Sequence, residues 1–144
     1  MSEKKKILFL CTGNSCRSQM AEGLCREYRG DLLDAYSAGI ETHGLNPRAV
    51  KVMEELGIDI SDHTSKTVDT FNDVVFDYVV TVCGHAHETC PYFPAKTRVI
   101  HKGFEDPPFL TADMVSEEEI LSVYRRVRDQ IKAFVLDLPD ILNS

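Results

Sequence analysis

Ile7-Leu8-Phe9-Leu10-Cys11-Thr12-Gly13-Asn14-Ser15-Cys16-Arg17-Ser18 changes character twice along its length. An apolar run comes first, then small polar residues, then a segment with helical spacing that begins at Ser18. This pattern predicts a buried strand over 7–11, a tight loop, and a helix N-terminus. Loops of this kind turn backbone N–H groups inward, and with the helix dipole behind them they bind anions. Gly13 and Asn14 are residue types that tolerate a left-handed backbone, which such a turn demands. Arg17, separated from Cys11 by five intervening residues, supplies a planar fork matched to two oxygens of a tetrahedral oxyanion. Ser18 can hydrogen-bond the sulfur or cap the helix. Cys11 then lies among positive dipoles, a setting that favours the thiolate. The candidate oxyanion site is Thr12, Gly13, Asn14, Ser15, Cys16, Arg17 and Ser18, with Cys11 as nucleophile. The competing reading is a buried cysteine at a strand end beside a solvated arginine.

Working outward, the helix is expected over 18–29, with Met20, Ala21, Leu24, Cys25 and Tyr28 on one face and Gly30 past its end. Leu32 to Ala38 reads as a second strand closed by Gly39. Asn46-Pro47 caps a helix that stops at Gly57. Ile58 to Ile60 is a brief extended piece, and Thr67 to Asn72 a short helix. Tyr78 to Val82 is β-branched almost throughout, which suits an interior parallel strand. Arg98 to His101 is a last short strand. Ser116-Glu117-Glu118-Glu119 is a capping box for a final helix ended by Pro139. Strands alternating with helices predict one α/β domain over 1–144: a three-layer, doubly wound, four-stranded parallel sheet with helices on both faces.

Ligands bind beyond the carboxyl ends of strands in such sheets. Three polar stretches follow predicted strands: Cys11–Ser18, Cys83–Cys90 and Phe104–Pro108. The second, Cys83-Gly84-His85-Ala86-His87-Glu88-Thr89-Cys90, admits three readings. It holds two ordinary loop cysteines, or a metal site of Cys83, His85, His87 and Cys90 with a spacing unlike common zinc modules, or a dithiol that oxidises during turnover. The third gains from the neighbouring nucleophile, because an oxidised cysteine needs a thiol partner to regenerate it. Asp106-Pro107 is a turn former, and near a bound oxyanion Asp106 is also a candidate general acid. Cys16 contributes its backbone to the loop, Cys25 belongs to the core, and His43, His63 and His101 have no evident partner.

The bulk numbers narrow the classes. The chain has 144 residues and a net charge of -7 with no long basic run, which argues against nucleic acid or an acidic membrane surface as partner. No apolar run matches a membrane span, and Ile7 to Leu10 is too short for a signal-peptide core. The cytoplasm is the default compartment, and five cysteines there point to catalytic or redox use rather than a structural disulfide framework.

Nearly end to end, the chain resembles the thioredoxin-coupled arsenate reductases built on the low-molecular-weight tyrosine phosphatase fold. The likeness runs through Cys11–Ala21 (CTGNSCRSQMA), Tyr36-Ser37-Ala38-Gly39, Val82-Cys83, Cys90-Pro91, Gly103-Phe104-Glu105-Asp106-Pro107 and Arg126-Val127-Arg128-Asp129. The anion loop and Asp-Pro are shared with the phosphatases. Cys83 and Cys90 set the reductases apart, as does Pro108, where the phosphatases typically carry tyrosine. The resemblance implies that Cys11 attacks arsenate held by the loop and Arg17, with Ser18 stabilising the thiolate and Asp106 protonating the departing oxygen. Cys83 would then form a transient Cys11–Cys83 disulfide as arsenite leaves. Cys90 would convert it to Cys83–Cys90, which thioredoxin reduces. No cofactor and no metal are expected beyond these thiols, and a monomer is expected. If 83–90 begins as helix, its two sulfurs start about 10 Å apart along the axis, so the segment would have to unwind on oxidation. Some members of that family bind potassium through residues matching Asn14, Glu22, Ser37 and an acidic residue near 66. Lys66 stands there in this chain, its ammonium in a position to replace the ion, so potassium dependence is not expected.

Overall fold

The computed structural model describes residues 4–83 and 93–143. Four strands form one parallel sheet in the order β2-β1-β3-β4: β1 (Lys5–Cys11), β2 (Leu33–Gly39), β3 (Tyr78–Cys83) and β4 (Arg98–Phe104). The chain leaves β1 for one neighbour by way of α1 (Arg17–Arg29) and later returns on its other side as β3. That reversal places a crevice at the carboxyl end of β1, where open α/β sheets hold their ligands. The apolar run read from the sequence is the buried heart of β1, with Ile7, Leu8, Phe9 and Leu10 all fully buried.

Alternation along the strands divides the core. Ile7, Phe9 and Cys11 pack with Val80, Val82 and Cys83 under α1, α2 (Pro47–Glu54) and α4 (Glu117–Leu136), against Met20, Leu24, Met53, Tyr124, Val127 and Ile131. Leu8, Leu10 and Val79 face the other way, onto Phe71 and Phe76. Among the described residues, a 3-10 turn (Val68–Phe71) and a cluster of edge-on rings cover that face, with Tyr36–Phe76 at 5.2 Å and Phe76–Phe93 at 5.6 Å between centroids. Edge-to-face pairing is the arrangement the ring quadrupoles favour.

Both helix N-caps form at the residues read, the Ser116 capping box through its serine half. The Asn46 side chain accepts from the amides of Arg48 and Ala49, and Pro47 opens α2. Ser116 Oγ accepts from Glu119 N at 3.4 Å. Gly57 turns away beyond α2 with φ of 76°, a left-handed backbone that costs glycine little. Some boundaries differ from the sequence reading. α4 stops at Leu136, and Pro139 lies inside a separate short helix, α5 (Leu138–Leu142). Proline can donate no amide and its ring crowds the carbonyl four residues back, so the long helix ends earlier and a new turn starts with proline near its front. β4 runs on to Phe104, and Pro107–Leu110 forms a short helix, α3, that the turn reading missed.

Candidate active site

The loop after β1 is laced from outside. Thr12 O accepts from the amides of Ile40 (3.0 Å) and Glu41 (3.2 Å), Gly13 O from His43 N (3.0 Å), and Ser15 O from Asn46 N (3.0 Å). Ser65 Oγ adds a second bond to Gly13 O at 2.9 Å, and Gln19 Nε2 donates to Asn14 O at 3.1 Å. A peptide unit is planar and its N–H opposes its C=O. Carbonyls held outward therefore turn the amides of Gly13, Ser15 and Cys16 inward, into a cavity of about 580 Å³ that these residues line with Cys11, Arg17, Ile40, Glu41, His43, Asn46, Asp106 and Pro108. The segment 40–46, which the sequence reading left without a role, is the strap that builds the cradle.

Asn14 takes the left-handed backbone, with φ of 47°, as its residue type allows. Gly13 does not, which corrects the sequence reading: a Cβ there would lie 2.2 Å from His43 Nδ1, so the glycine makes room for the imidazole. His43 in turn pairs with Glu41 at 3.0 Å. His63 and His101 have partners as well, Gln19 Oε1 at 3.1 Å and Thr81 Oγ1 at 2.6 Å.

Cys11 is buried, and its sulfur lies 2.9 Å from Ser18 Oγ. The proton direction follows from the neighbours. Gln19 Nε2 and Lys66 N both donate to Asn14 Oδ1, at 3.1 and 2.7 Å, which fixes the amide with its nitrogen towards Ser18. Asn14 Nδ2 donates to Ser18 Oγ at 2.8 Å. The hydroxyl proton is then left to point at the sulfur, where it stabilises a thiolate. Of the two roles open to Ser18, the structure selects the bond to sulfur; α1 has no side-chain cap.

Arg17 opens α1 and lies almost wholly buried. One guanidinium nitrogen donates to Phe104 O at 3.0 Å and Val82 O at 3.4 Å, and the other stands 3.8 Å from Asp106 Oδ2. The ends of β3 and β4 thus hold the arginine at the cavity wall. Asp106 precedes Pro107 at the start of α3, with its side chain about a quarter exposed. Pro108, beside it, also lines the cavity.

Cys83 ends β3 and is buried in the same core cluster as Cys11. Leu10 pairs with Thr81, so Cys83 lies one residue beyond the level of Cys11 on the adjacent strand. In regular parallel strands such an offset corresponds to about 6 Å between Cα atoms, within the span of a disulfide. Cys16 and Cys25 are buried too. Burial pushes both thiols up, Cys25 to about 12, and for Cys16 the nearby Cys11 adds to the effect. Cys90, the Cys83–Cys90 pair, the His85 and His87 ligands of the metal reading and the unwinding of 83–90 lie outside the described residues. Among the described residues no group of three or more His, Cys, Asp or Glu could hold a metal ion, and no helix is long and apolar enough to cross a membrane.

Lys66 behaves differently from the expectation for it. Its backbone amide holds Asn14, and its ammonium donates to Thr64 O at 2.7 Å. Glu22 is met instead by Arg26 at 2.8 Å and by Ser37 Oγ at 2.5 Å. Burial lowers the pKa of Lys66 while Glu22 opposes that shift.

Known proteins share this architecture. The family model described as low molecular weight phosphotyrosine protein phosphatase matches residues 6–139. An arsenate reductase of Halalkalibacterium halodurans is 56% identical over 128 residues, 89% of this chain and 90% of that protein. A solved structure described as an arsenate reductase in the phosphate binding state superposes with a TM-score of 0.76 at 34% identity, covering 93% of this chain and 95% of the other. A thioredoxin-dependent arsenate reductase of Corynebacterium glutamicum aligns with a TM-score of 0.60 at 26% identity, over 92% of this chain and 61% of that one. The chain belongs to the low molecular weight phosphotyrosine protein phosphatase family, on the branch occupied by its arsenate reductase relatives.

Proposed function

We propose that the protein reduces arsenate to arsenite through a relay of Cys11, Cys83 and Cys90, regenerated by thioredoxin. The observation that carries this reading is a second buried cysteine, Cys83, one strand from a cysteine set in an oxyanion cradle. The loop amides and Arg17 bind three arsenate oxygens. Cys11 thiolate attacks arsenic opposite the fourth, which faces Asp106. Arg17 attracts the Asp106 carboxylate from 3.8 Å. A bound oxyanion takes up that charge, and its own like charge then favours the protonated acid. Asp106 passes its proton to the departing oxygen, and water leaves as the S–As bond forms.

Cys83 thiolate then attacks the Cys11 sulfur. The S–As electron pair stays on arsenic, which departs as arsenite, and a Cys11–Cys83 disulfide takes up the two-electron oxidation. Cys90 attacks Cys83 and frees Cys11, and thioredoxin reduces the Cys83–Cys90 disulfide. Phosphorus does not accept the electron pair in this way, so the same cradle could only hydrolyse a phosphate ester.

The test is arsenate-dependent NADPH consumption with thioredoxin and thioredoxin reductase. Cys83→Ser is expected to abolish multiple turnovers while leaving slow phosphate-ester cleavage intact. Normal arsenate turnover by that variant would refute the relay. Ester cleavage with no arsenate reduction by the wild type would identify a phosphatase.

A further inference from the structure

We propose that Asn46 and Tyr124 are a positioning pair that sets the Ser15–Cys16 amide in the oxyanion cradle. The inference rests on the oxyanion-binding part of the reading above, not on its redox steps. Asn46 is held from three directions. Its backbone N–H donates to Ser15 O at 3.0 Å, its Oδ1 accepts from Arg48 N and Ala49 N at 2.8 and 3.2 Å, and its Nδ2 donates to Tyr124 Oη at 3.1 Å. Tyr124 is fully buried in α4, among residues that anchor that helix to the sheet.

Asn14 O is held by the buried Gln19 of α1 and Gly13 O in part by Ser65, but the remaining partners are softer. Thr12 and Gly13 are held by the amides of Ile40, Glu41 and His43 in an exposed stretch. Ser15 is held by a residue tied to the longest helix. Packing alone would be served by phenylalanine at position 124, because a buried hydroxyl is unfavourable unless it is hydrogen-bonded. The phenol oxygen answers Asn46, with the Arg48 side chain as a further partner, and Asn46 lines the cavity. The effect of the pair is to hold Ser15 O outward, and therefore Cys16 N–H inward at the anion.

Two variants separate this role from folding and capping. Tyr124→Phe removes only the phenol oxygen. Asn46→Ser keeps a good helix cap but is too short to reach Tyr124. The probe is inorganic phosphate, which protects Cys11 of the full chain from iodoacetamide, read on the Cys11 peptide by mass spectrometry. Each variant is expected to need about fivefold more phosphate for half protection, the value of one ordinary hydrogen bond. The double variant should need no more than either single one, since both remove the same link. The KM for arsenate should rise by the same factor with kcat unchanged, because the amide binds ground state and transition state alike. Half protection within twofold of wild type in both single variants, whatever their melting temperatures, overturns the pair, as do additive effects in the double variant. Failure of phosphate to protect wild-type Cys11 overturns the oxyanion site itself, and the pair with it.

Discussion

Gly39→Ala tests how the cradle is fitted to the sheet. Gly39 ends β2 level with Cys11, and its amide donates to Lys66 O at 2.8 Å. A Cβ at that position would stand 2.6 Å from Thr12 O and 2.9 Å from both Asn14 N and Cys11 O. Those distances fall about 0.5–0.8 Å short of ordinary contact at 3.4 Å, and all three atoms are backbone. β2 is fixed by its ladder to β1 and by a bridge from Gly39 to Thr67, so the anion loop must yield. Overpacking of this kind costs about 1–3 kcal/mol of stability, or roughly 3–10 °C in Tm for a chain of this size. Function should suffer more, because a misplacement approaching 1 Å in a site built for one geometry can cost about 100-fold. The assay is kcat/KM for arsenate, with the phosphate needed to protect Cys11 as a second measure. Gly13→Ala is the control. The three atoms nearest its Cβ all belong to the half-exposed His43 ring, which can swing away with loss of the Glu41 pair, an exposed contact worth about 0–1 kcal/mol. A loss below about fivefold is expected there. If Gly39→Ala keeps kcat/KM within threefold of wild type, or Gly13→Ala is the more damaging change, the fit of sheet to loop has been misread.

Ser18→Ala removes the hydroxyl 2.9 Å from the Cys11 sulfur. Hydrogen bonds to charged groups are worth about 1.5–3 kcal/mol, so alkylation of Cys11 at neutral pH should slow by at least about tenfold; an unchanged rate would show that the contact does not stabilise the thiolate. Arg128→Ala should destabilise the fold by about 2 kcal/mol in urea unfolding, since the nearly buried guanidinium bonds Val52 O and Glu55 Oε1, both at 2.8 Å. A change under 0.5 kcal/mol on the order-of-magnitude scale of a surface substitution would contradict that. Burial holds the pKa of His63 below its ordinary 6.5, against the opposing pull of Glu22. The folded ring is then neutral where the unfolded chain takes up a proton, so stability is lost as pH falls below about 6.5. His63→Gln should flatten the wild-type decline over that window, and parallel curves for the two proteins would remove His63 as its source.

The chain Ile7–Ser18 was legible as strand, loop and helix because burial, turn chemistry and helical spacing are local properties, written in neighbouring residues. The same is true of the Asn46 and Ser116 caps, and of the β-branched run that became β3. What the sequence could not assign were contacts between residues far apart along the chain. It offered no partner for His63, which meets Gln19 across 44 positions, and no purpose for 40–46, whose amides hold the loop carbonyls outward. Gly13 looked like a turn residue, and proved to be space for a ring thirty positions away, because a missing Cβ can serve backbone freedom or close approach and only the neighbour in space says which. Sequence alone thus determined the sheet class and the strand, loop and helix start that carry Cys11 and Arg17, all set by short-range pattern. The tertiary structure decided how the cradle's amides face inward and which side chains aim a proton at the sulfur, because hydrogen-bond direction depends on partners that only folding brings together.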